Sequence, residues 1–573
     1  MRQPAVRWLS PGLLAREGVE VAVSAAFGKF ADKRELQADD QAVFDYTLPP
    51  PRGRDAGLWI DFLSDTGDGW EATYTMAWLL AQAELSGSDG APLPQGDLLL
   101  LGGDQVYPSA GPDPYEDRFV GPFGAAFPAA DPPRDLFATP GNHDWYDGLI
   151  SFLRIFCRPS SIDSKAIGGW KTRQTRSYYA LRLPHRWWIW AIDIQFDTYI
   201  DNRQLDYFAE VGDALREGDK VILITAKPSW VKAEGGRFDP PSWRNLAYFE
   251  RTRILDRGAR LVLTLTGDLH HYSRYEPRVP DAGPTRITAG GGGAYMSPTH
   301  TLPSGIELRH AEDADPVPYR RAGTYPNARD SSRLRWGVLT VAVNTPSFAV
   351  LMGGVYALLG AAILGTLNAR EGGLVEAVAG GSFPGFLGRS VGGTPVILVL
   401  LLAGLLSAYA DFKTVVAKIG AGLLHTLVHV AAVAAAVYLM TKAFSLDAGG
   451  AVVWLAVLPV CFATGFVLGS LAFSAYILAV HSIRGERAPK HTNEVFAGQA
   501  IPDYKNFLRL HLDPDGRLIV YPFGVKRICR RWTLTESSNG PHFEPRDEPP
   551  RAELMDEPLT FGGPGAREAD GGS

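Results

Sequence analysis

The stretch Leu98-Leu99-Leu100-Leu101-Gly102-Gly103-Asp104-Gln105-Val106-Tyr107 runs from four leucines through glycine to a carboxylate and a phenol. The same order recurs at long intervals. Leu58-Trp59-Ile60 precedes Ser64-Asp65-Thr66-Gly67-Asp68, Leu136-Phe137-Ala138 precedes Gly141-Asn142-His143-Asp144, and Leu261-Val262-Leu263-Thr264-Leu265 precedes Gly267-Asp268-Leu269-His270. Short, nearly continuous apolar runs read as strands buried on both faces. In layered α/β proteins ligands bind beyond strand ends, where loops rather than packing constrain the side chains. Each Gly-Asp or Asn-His pair alone reads as a turn or a helix cap; the recurrence is what carries information. The collected carboxylates, amide, imidazoles and phenol suit manganese, iron or zinc better than a thiolate-loving ion.

The set resembles the calcineurin-like metallophosphoesterases and, in Gly103-Asp104-x-x-Tyr107 and in the continuation to Tyr272 and Arg274, the purple acid phosphatase branch. The resemblance covers about half the chain, from Leu58 to roughly Tyr295. It implies a four-layer α/β/β/α sandwich and a metal-dependent phosphoric ester hydrolase with one or two divalent or trivalent ions (Mn, Fe or Zn). By the same resemblance Asp65, Asp104, Tyr107 and His270 are ligands of a first metal, with Asp104 bridging to a second. Asn142 and Asp268 are ligands of that second metal. His143 is the catalytic imidazole and Asp144 orients it, while His271 and Arg274 contact substrate phosphate. The chain departs from the family twice: Ala226 stands where a lone histidine is expected, and Asp268 replaces another imidazole. The second ion is then held by fewer groups, by a further carboxylate such as Asp68, or is absent with Lys227 supplying positive charge. Two cations roughly 3.5–4 Å apart neutralise a phosphate ester and acidify water better than one. A metal-binding sensor or scaffold with weakened catalysis is therefore the competing reading.

The other informative feature is an apolar block. Phe348 to Leu367 and Pro395 to Ala410 contain no charge, Ala421 to Met440 carries only His425 and His429 as ionisable groups, and Ala451 to Val480 is uninterrupted. About 20 apolar residues cross a bilayer core, so four transmembrane helices are expected, the second short and the last able to bend at Pro459. Arg320, Arg321, Arg329, Arg333 and Arg335 precede the first span, Lys413 and Lys418 lie between the second and third, and Arg484, Arg487 and Lys490 follow the fourth. The positive-inside rule places both termini and the soluble part in the cytoplasm. Met1 to Leu14 contains no export signal. A multi-pass protein of an inner or plasma membrane is expected. His425 and His429 share a helix face and read as interhelical hydrogen-bonding groups. A channel or carrier regulated by the soluble domain is disfavoured by the scarcity of intramembrane charge.

The 573 residues and a net charge of −6 allow several cores and argue against a dedicated nucleic-acid binder. Cys157, Cys461 and Cys529 are too widely spaced for a disulfide framework. The expected organisation is a helical extension over 1–54, the phosphoesterase domain over 55–343, the membrane region over 346–482, a β segment over 483–535 and a disordered tail over 536–573. Gly18 to Glu35 reads as an amphipathic helix, and Asp513-Pro514-Asp515-Gly516 as a hairpin turn. Gly290 to Gly293 reads as a strand-end turn, and Trp187, Trp188 and Trp190 as core. The expected partners are a phosphorylated small molecule or lipid and the bilayer itself.

Overall fold

In the computed structural model the described residues are 2–16, 41–48, 57–87, 90–158, 167–194, 199–233, 235, 239–311, 314–369, 376, 378, 381–410, 412, 414–444, 451–483, 490–537 and 540–562. The chain forms two units. One comprises Met1–Val6, Glu17–Ser332 and Ile501–Ser573, the other Arg7–Arg16 and Arg333–Ala500.

The first unit has a mixed α/β fold with two large sheets. Among the described residues one sheet orders its strands Phe44–Asp45, Tyr179–Arg182, Trp187–Ile192, Lys220–Thr225, Arg260–Thr266, Thr285–Ala289, Tyr272–Pro277, Val317–Tyr325 and Gly305–Leu308. The other runs Glu553–Leu554, Leu518–Val525, Lys505–Leu512, Leu58–Leu63, Leu98–Leu101, Arg134–Ala138 and Trp170–Thr172, with Leu559–Phe561 also paired to Leu518–Val525. Leu58–Leu63, Leu98–Leu101 and Arg134–Ala138 are mutually parallel neighbours, as are Trp187–Ile192, Lys220–Thr225 and Arg260–Thr266. Parallel strands need crossovers, and the helices Trp70–Ala81, Asn202–Asp213 and Pro241–Phe249, with the helical stretch over 112–126, supply them.

The apolar runs lack alternation because both faces of each strand are covered. Leu98 and Leu100 join Ile60, Phe62, Ile222, Ile224, Leu263 and Leu265 in a core drawn from both sheets. Leu99 and Leu101 join Met76, Leu79 and Leu80 of the Trp70–Ala81 helix in another. On the far side of the other sheet Trp188, Trp190, Val221 and Leu223 meet Phe208, Trp243, Leu246 and Phe249. Period-two geometry thus sends alternate leucines to different cores.

The Lys505–Leu512 strand, which follows the helical unit in the chain, pairs antiparallel with Leu58–Leu63. The pairing is pinned by a wholly buried ion pair. Arg509 Nε and Nη2 donate to Asp61 at 2.7 and 3.1 Å, and both side chains have no exposed surface. Arg509 Nη1 also donates to the Leu93 carbonyl at 2.9 Å, and the Gly96 N–H donates to Asp61 at 3.1 Å. The hairpin expected around Asp513 forms, with Lys505–Leu512 and Leu518–Val525 in register across it.

Two expectations about the ends of the chain need revision. The stretch from Glu536 carries strands where a disordered tail is expected: Trp532–Ser537 pairs with Gly540–Pro545, and Glu553–Leu554 and Leu559–Phe561 edge the sheet. A few anchors suffice to order so polar a segment, among them Phe543 against Trp70 and Tyr74, and Asp556 against Arg274. The N-terminal extension holds a short helix at 11–16 but also the strand Phe44–Asp45, parallel to Tyr179–Arg182. The helix expected over Gly18 to Glu35 lies outside the described residues.

Among its described residues the second unit contains three helical stretches long and apolar enough to span a membrane: Pro346–Asn368, Val415–Ala443 and Val453–His481. The short second span expected over Pro395 to Ala410 is the helix Thr394–Tyr409, which is preceded by a further helix, Phe383–Ser390, set at 91° to it. Gly393, at φ 61°, and Pro395 in the first helical turn break the helix there. His429 Nδ1 and the Tyr356 hydroxyl lie 2.7 Å apart across two helices, and His425 stacks on Tyr476 with ring centroids 4.2 Å apart.

Removing one member of a buried ion pair leaves the other charge uncompensated. Arg509→Met is expected to cost about 3–5 kcal/mol of stability, and adding Asp61→Leu to recover most of that loss. Chemical unfolding of the purified chain, followed by tryptophan fluorescence, checks both.

Candidate functional site

The four motif loops leave the carboxyl ends of their strands: Asp65 after Leu58–Leu63, Asp104 after Leu98–Leu101, Asn142 and His143 after Arg134–Ala138, and Asp268 and His270 after Arg260–Thr266. Asp65, Asp104 and Asp268 sit at φ 61°, 51° and 63°. This left-handed region is sparsely occupied by residues other than glycine, and such strain clusters at functional sites. Backbone bonds lock the loops together. The Asp65 N–H donates to the Gly103 carbonyl at 2.9 Å and the Thr66 N–H to the Asp104 carbonyl at 3.0 Å. The Asp268 N–H donates to both oxygens of the Asp65 carboxylate, at 3.1 and 3.0 Å. A Cβ on Gly267 would overlap Ser64 Oγ and Asp65 Oδ2, so the close approach of this loop requires glycine.

The side chains converge on the hydroxyl of Tyr107. It donates to Asp65 Oδ1 at 2.8 Å and lies 3.2 Å from Asp104 Oδ2 and 3.0 Å from His270 Nε2. His270 Nε2 is 3.7 Å from Asp65 Oδ1. The His270 Nδ1 proton is taken by the Tyr295 carbonyl at 2.9 Å, which fixes the tautomer that turns Nε2 toward the cluster. All four residues are buried. Burial, then the charges of Asp104 and Asp268, hold the Asp65 carboxyl well above its usual range; burial, then Lys505, pushes His270 well below its own. Like charges packed without solvent fit a cation. Two carboxylates, a phenol and an imidazole form a suitable donor set. Among the described residues no group of three or more His, Cys, Asp or Glu side chains is arranged to hold a metal ion. The four groups bond to one another through the phenol oxygen, at hydrogen-bond distances rather than the ~2.0–2.2 Å of metal–ligand contacts.

The second position is poorer. A Cβ on Gly103 would fall 2.8 Å from the Ala226 methyl and 3.2 Å from the Gly141 nitrogen. Ala226 therefore stands beside the loops of Asp104 and Asn142, where it offers no ligand atom. Asn142 Nδ2 is 3.4 Å from the Tyr146 hydroxyl. Asp68 does not turn to Asn142: its carboxylate accepts the Val6 N–H at 2.7 Å and the Tyr295 N–H at 3.0 Å. Asp268 and Lys227 are half-buried.

The His143 N–H donates to Asp104 Oδ1 at 2.8 Å, and its Nδ1 donates to the Pro108 carbonyl, leaving Nε2 as the atom that can exchange a proton. The residue is half-buried, and the protein packed around the imidazole pushes its pKa down to about 4. Asp144 does not orient this ring. Its carboxylate accepts the Tyr115 hydroxyl at 2.5 Å, the Gly141 N–H at 2.8 Å and the Gln105 N–H at 3.2 Å. The turn His143–Trp145 sends neighbouring side chains in different directions, so Asp144 braces the Asp104 and Asn142 loops from beneath. Arg274 is likewise engaged elsewhere: Nε and Nη2 form a fork on Asp556 at 2.9 and 3.1 Å, and Nη1 contacts Glu276. His271 is fully buried, with its pKa pushed down to about 3 by burial. Neither is posed to receive a phosphate group.

Three participants carry no motif: Tyr115 under Asp144, Tyr295 behind His270, and Lys505. The Lys505 ammonium is wholly buried, donates to the Ala294 carbonyl, and is pulled down to about 8 by burial. The sequence signal for Lys505 is a charge opening a strand, Lys-Asn-Phe-Leu-Arg-Leu-His-Leu, whose leucines and phenylalanine mark it as buried.

Residues 58–272 match the model of the family described as calcineurin-like phosphoesterase. All four motif loops lie in that segment; Tyr295 and Lys505 lie outside it. Among solved structures, the purple acid phosphatase PPD1 isolated from yellow lupin (Lupinus luteus) seeds is similar at 12% sequence identity and a TM-score of 0.27, over 47% of this chain and 48% of that one. The chain thus spans about half the length of the lupin enzyme, and a likeness so distant carries no argument. No curated protein sequence matches the chain.

If Asp144 braces the loops through Tyr115, the two share one interaction. Tyr115→Phe and Asp144→Asn are each expected to destabilise by about 1–3 kcal/mol. They are also expected to couple by about 0.5–3 kcal/mol in a double-mutant cycle read by thermal unfolding. A coupling near zero contradicts the assignment.

Proposed function

We propose that this chain is a membrane-anchored, metal-dependent phosphoesterase that hydrolyses a phosphomonoester or phosphodiester. The observation that carries the reading is the convergence of Asp65, Asp104 and His270 on the Tyr107 hydroxyl. These four residues would hold the first ion, with Asp104 shared toward Asn142 and Asp268. When bound, such ions neutralise phosphate charge and acidify water at neutral pH. His143, with Nδ1 occupied by the Pro108 carbonyl, handles protons at the leaving oxygen through Nε2, the negative charge of the substrate favouring the imidazolium that burial alone disfavours. Asp144 keeps the loops of Asp104 and Asn142 in place. The finer fold assignment within this reading is the four-layer α/β/β/α sandwich, supported by the three cores described above.

Ala226 beside Gly103 favours a second reading, a metal-binding sensor or scaffold with weakened hydrolysis. A full first site with a depleted second one is what such a protein would keep. The substrate of the enzyme reading is a phosphorylated small molecule or a lipid head group, and the bilayer anchor favours the lipid.

The membrane reading places the protein across an inner or plasma membrane, with the phosphoesterase part in the cytoplasm. Leu58–Leu63 precedes the apolar helices and Lys505–Leu512 follows them, yet the two are paired in one sheet. That pairing supports, within this reading, an even number of crossings. Counting the bent pair Phe383–Ser390 and Thr394–Tyr409 as a crossing satisfies this condition.

Metal analysis of the purified full chain, with turnover of aryl phosphate mono- and diesters across added Mn, Fe and Zn, tests the enzyme reading. His270→Ala is expected to remove metal and activity together. His143→Ala is expected to keep metal and slow turnover by about 10²–10⁴-fold. Full turnover in both variants overturns the reading, and metal binding without turnover in the wild-type chain selects the sensor. Topology is checked by labelling with a membrane-impermeant maleimide, since the three native cysteines are buried. Ser382→Cys is expected to react in intact cells and Thr414→Cys only after the membrane is opened; the reverse pattern inverts the orientation.

A further inference from the structure

The segment behind His270 is held from four directions. The Ala294 N–H donates to the Asp65 carbonyl at 2.9 Å, and the Ala294 carbonyl accepts the buried Lys505 ammonium. The next N–H, that of Tyr295, donates to Asp68 Oδ2 at 3.0 Å, and the Tyr295 carbonyl accepts His270 Nδ1 at 2.9 Å. One peptide group thus has its oxygen gripped by a cation and its nitrogen by an anion, with the next carbonyl setting the tautomer and tilt of a candidate ligand. The strand that brings Lys505 is tied in at the following residue, where the Asn506 N–H donates to the Gly291 carbonyl at 3.1 Å. The Gly292 N–H in turn donates to the Ser64 carbonyl at 2.8 Å. Lys505 and Asp68 have no exposed surface to speak of, at 0% and 1%. Burying an ammonium is costly, so its position calls for a role.

We propose that Lys505 is a positioning residue of the metal centre. Together with Asp68 it clamps the Ala294–Tyr295 peptide, so that the Tyr295 carbonyl presents His270 Nε2 to the cation. The inference rests on the phosphoesterase reading for the identity of the centre, and adds that a residue outside the segment similar to that family completes it. Two effects of Lys505 oppose each other. Its charge repels a nearby cation, while its grip on the Ala294 carbonyl orders a ligand; the proposal is that ordering wins.

Mn²⁺ affinity of the full chain, measured by competition with a chromophoric chelator, separates the two without reference to turnover. Lys505→Met removes both charge and donor, and is expected to weaken Mn²⁺ binding about 10–100-fold, as loss of an outer-shell partner does. Lys505→Gln removes the charge and keeps a donor for the Ala294 carbonyl; it is expected to bind Mn²⁺ at least as well as the wild-type chain. Equal or tighter binding by a folded Lys505→Met overturns the proposal, as does loss of binding in a folded Lys505→Gln. Should Lys505→Met fail to fold, the Gln variant decides alone. With saturating Mn²⁺, kcat of Lys505→Met on an aryl phosphate is expected to return to within a few-fold of wild type. A wild-type chain that binds no metal overturns the phosphoesterase reading and this inference together. A wild-type chain that binds Mn²⁺ beside a Met variant that binds as well overturns the inference alone.

Discussion

The buried pair Asp61 and Arg509 is the constraint on which the first unit depends. Its members lie 448 positions apart, and its two hydrogen bonds set the Lys505–Leu512 strand beside Leu58–Leu63. Four residues beyond Asp61 the chain reaches Asp65, and four before Arg509 lies Lys505. Fixing one register therefore fixes both the first candidate ligand and the cation that braces the peptide behind His270. A hydrophobic pair would hold the strands as strongly or more so, but a fork of two donors on one carboxylate also specifies which residue faces which.

Around this frame the site accumulates groups that repel one another. Asp65, Asp104 and Asp268 are drawn together by backbone bonds between loops in left-handed conformations. Cohesion of the scaffold, and not mutual attraction of the side chains, brings them close. The same scaffold carries the bracing groups. Tyr115 and Asp144 support two loops from below, and Tyr295 fixes a ring nitrogen from behind.

Some of this was legible in the chain and some was not, for identifiable reasons. The strands before each motif could be read because leucines facing two different cores leave no alternation to confuse with a half-exposed strand. Asp61 within Leu-Trp-Ile-Asp-Phe-Leu and Arg509 within Phe-Leu-Arg-Leu are charges inside buried strands, a signal of pairing that sequence reading passed over. The role that the resemblance implies for Asp144 does not fit its contacts, because a tight turn points successive side chains apart. Arg274 was misread because its partner, Asp556, belongs to a segment whose composition resembles disorder. The apolar run Pro395 to Ala410 could be read as the helix Thr394–Tyr409, but hydropathy does not register the preceding helix Phe383–Ser390 or the turn at Gly393 that sets it at 91°.

The pairing across the helical unit also bears on the order of events during synthesis. A ribosome that has made the first 500 residues has produced every motif loop and all the apolar helices, but Asp61 still lacks its guanidinium and the Ala294 carbonyl its ammonium. Contacts that close so long a loop form late. The first unit must then wait, incompletely assembled, until the apolar helices have been made, so that Asp65, Asp104, Tyr107 and His270 reach their final setting only on a chain whose helical unit is already complete.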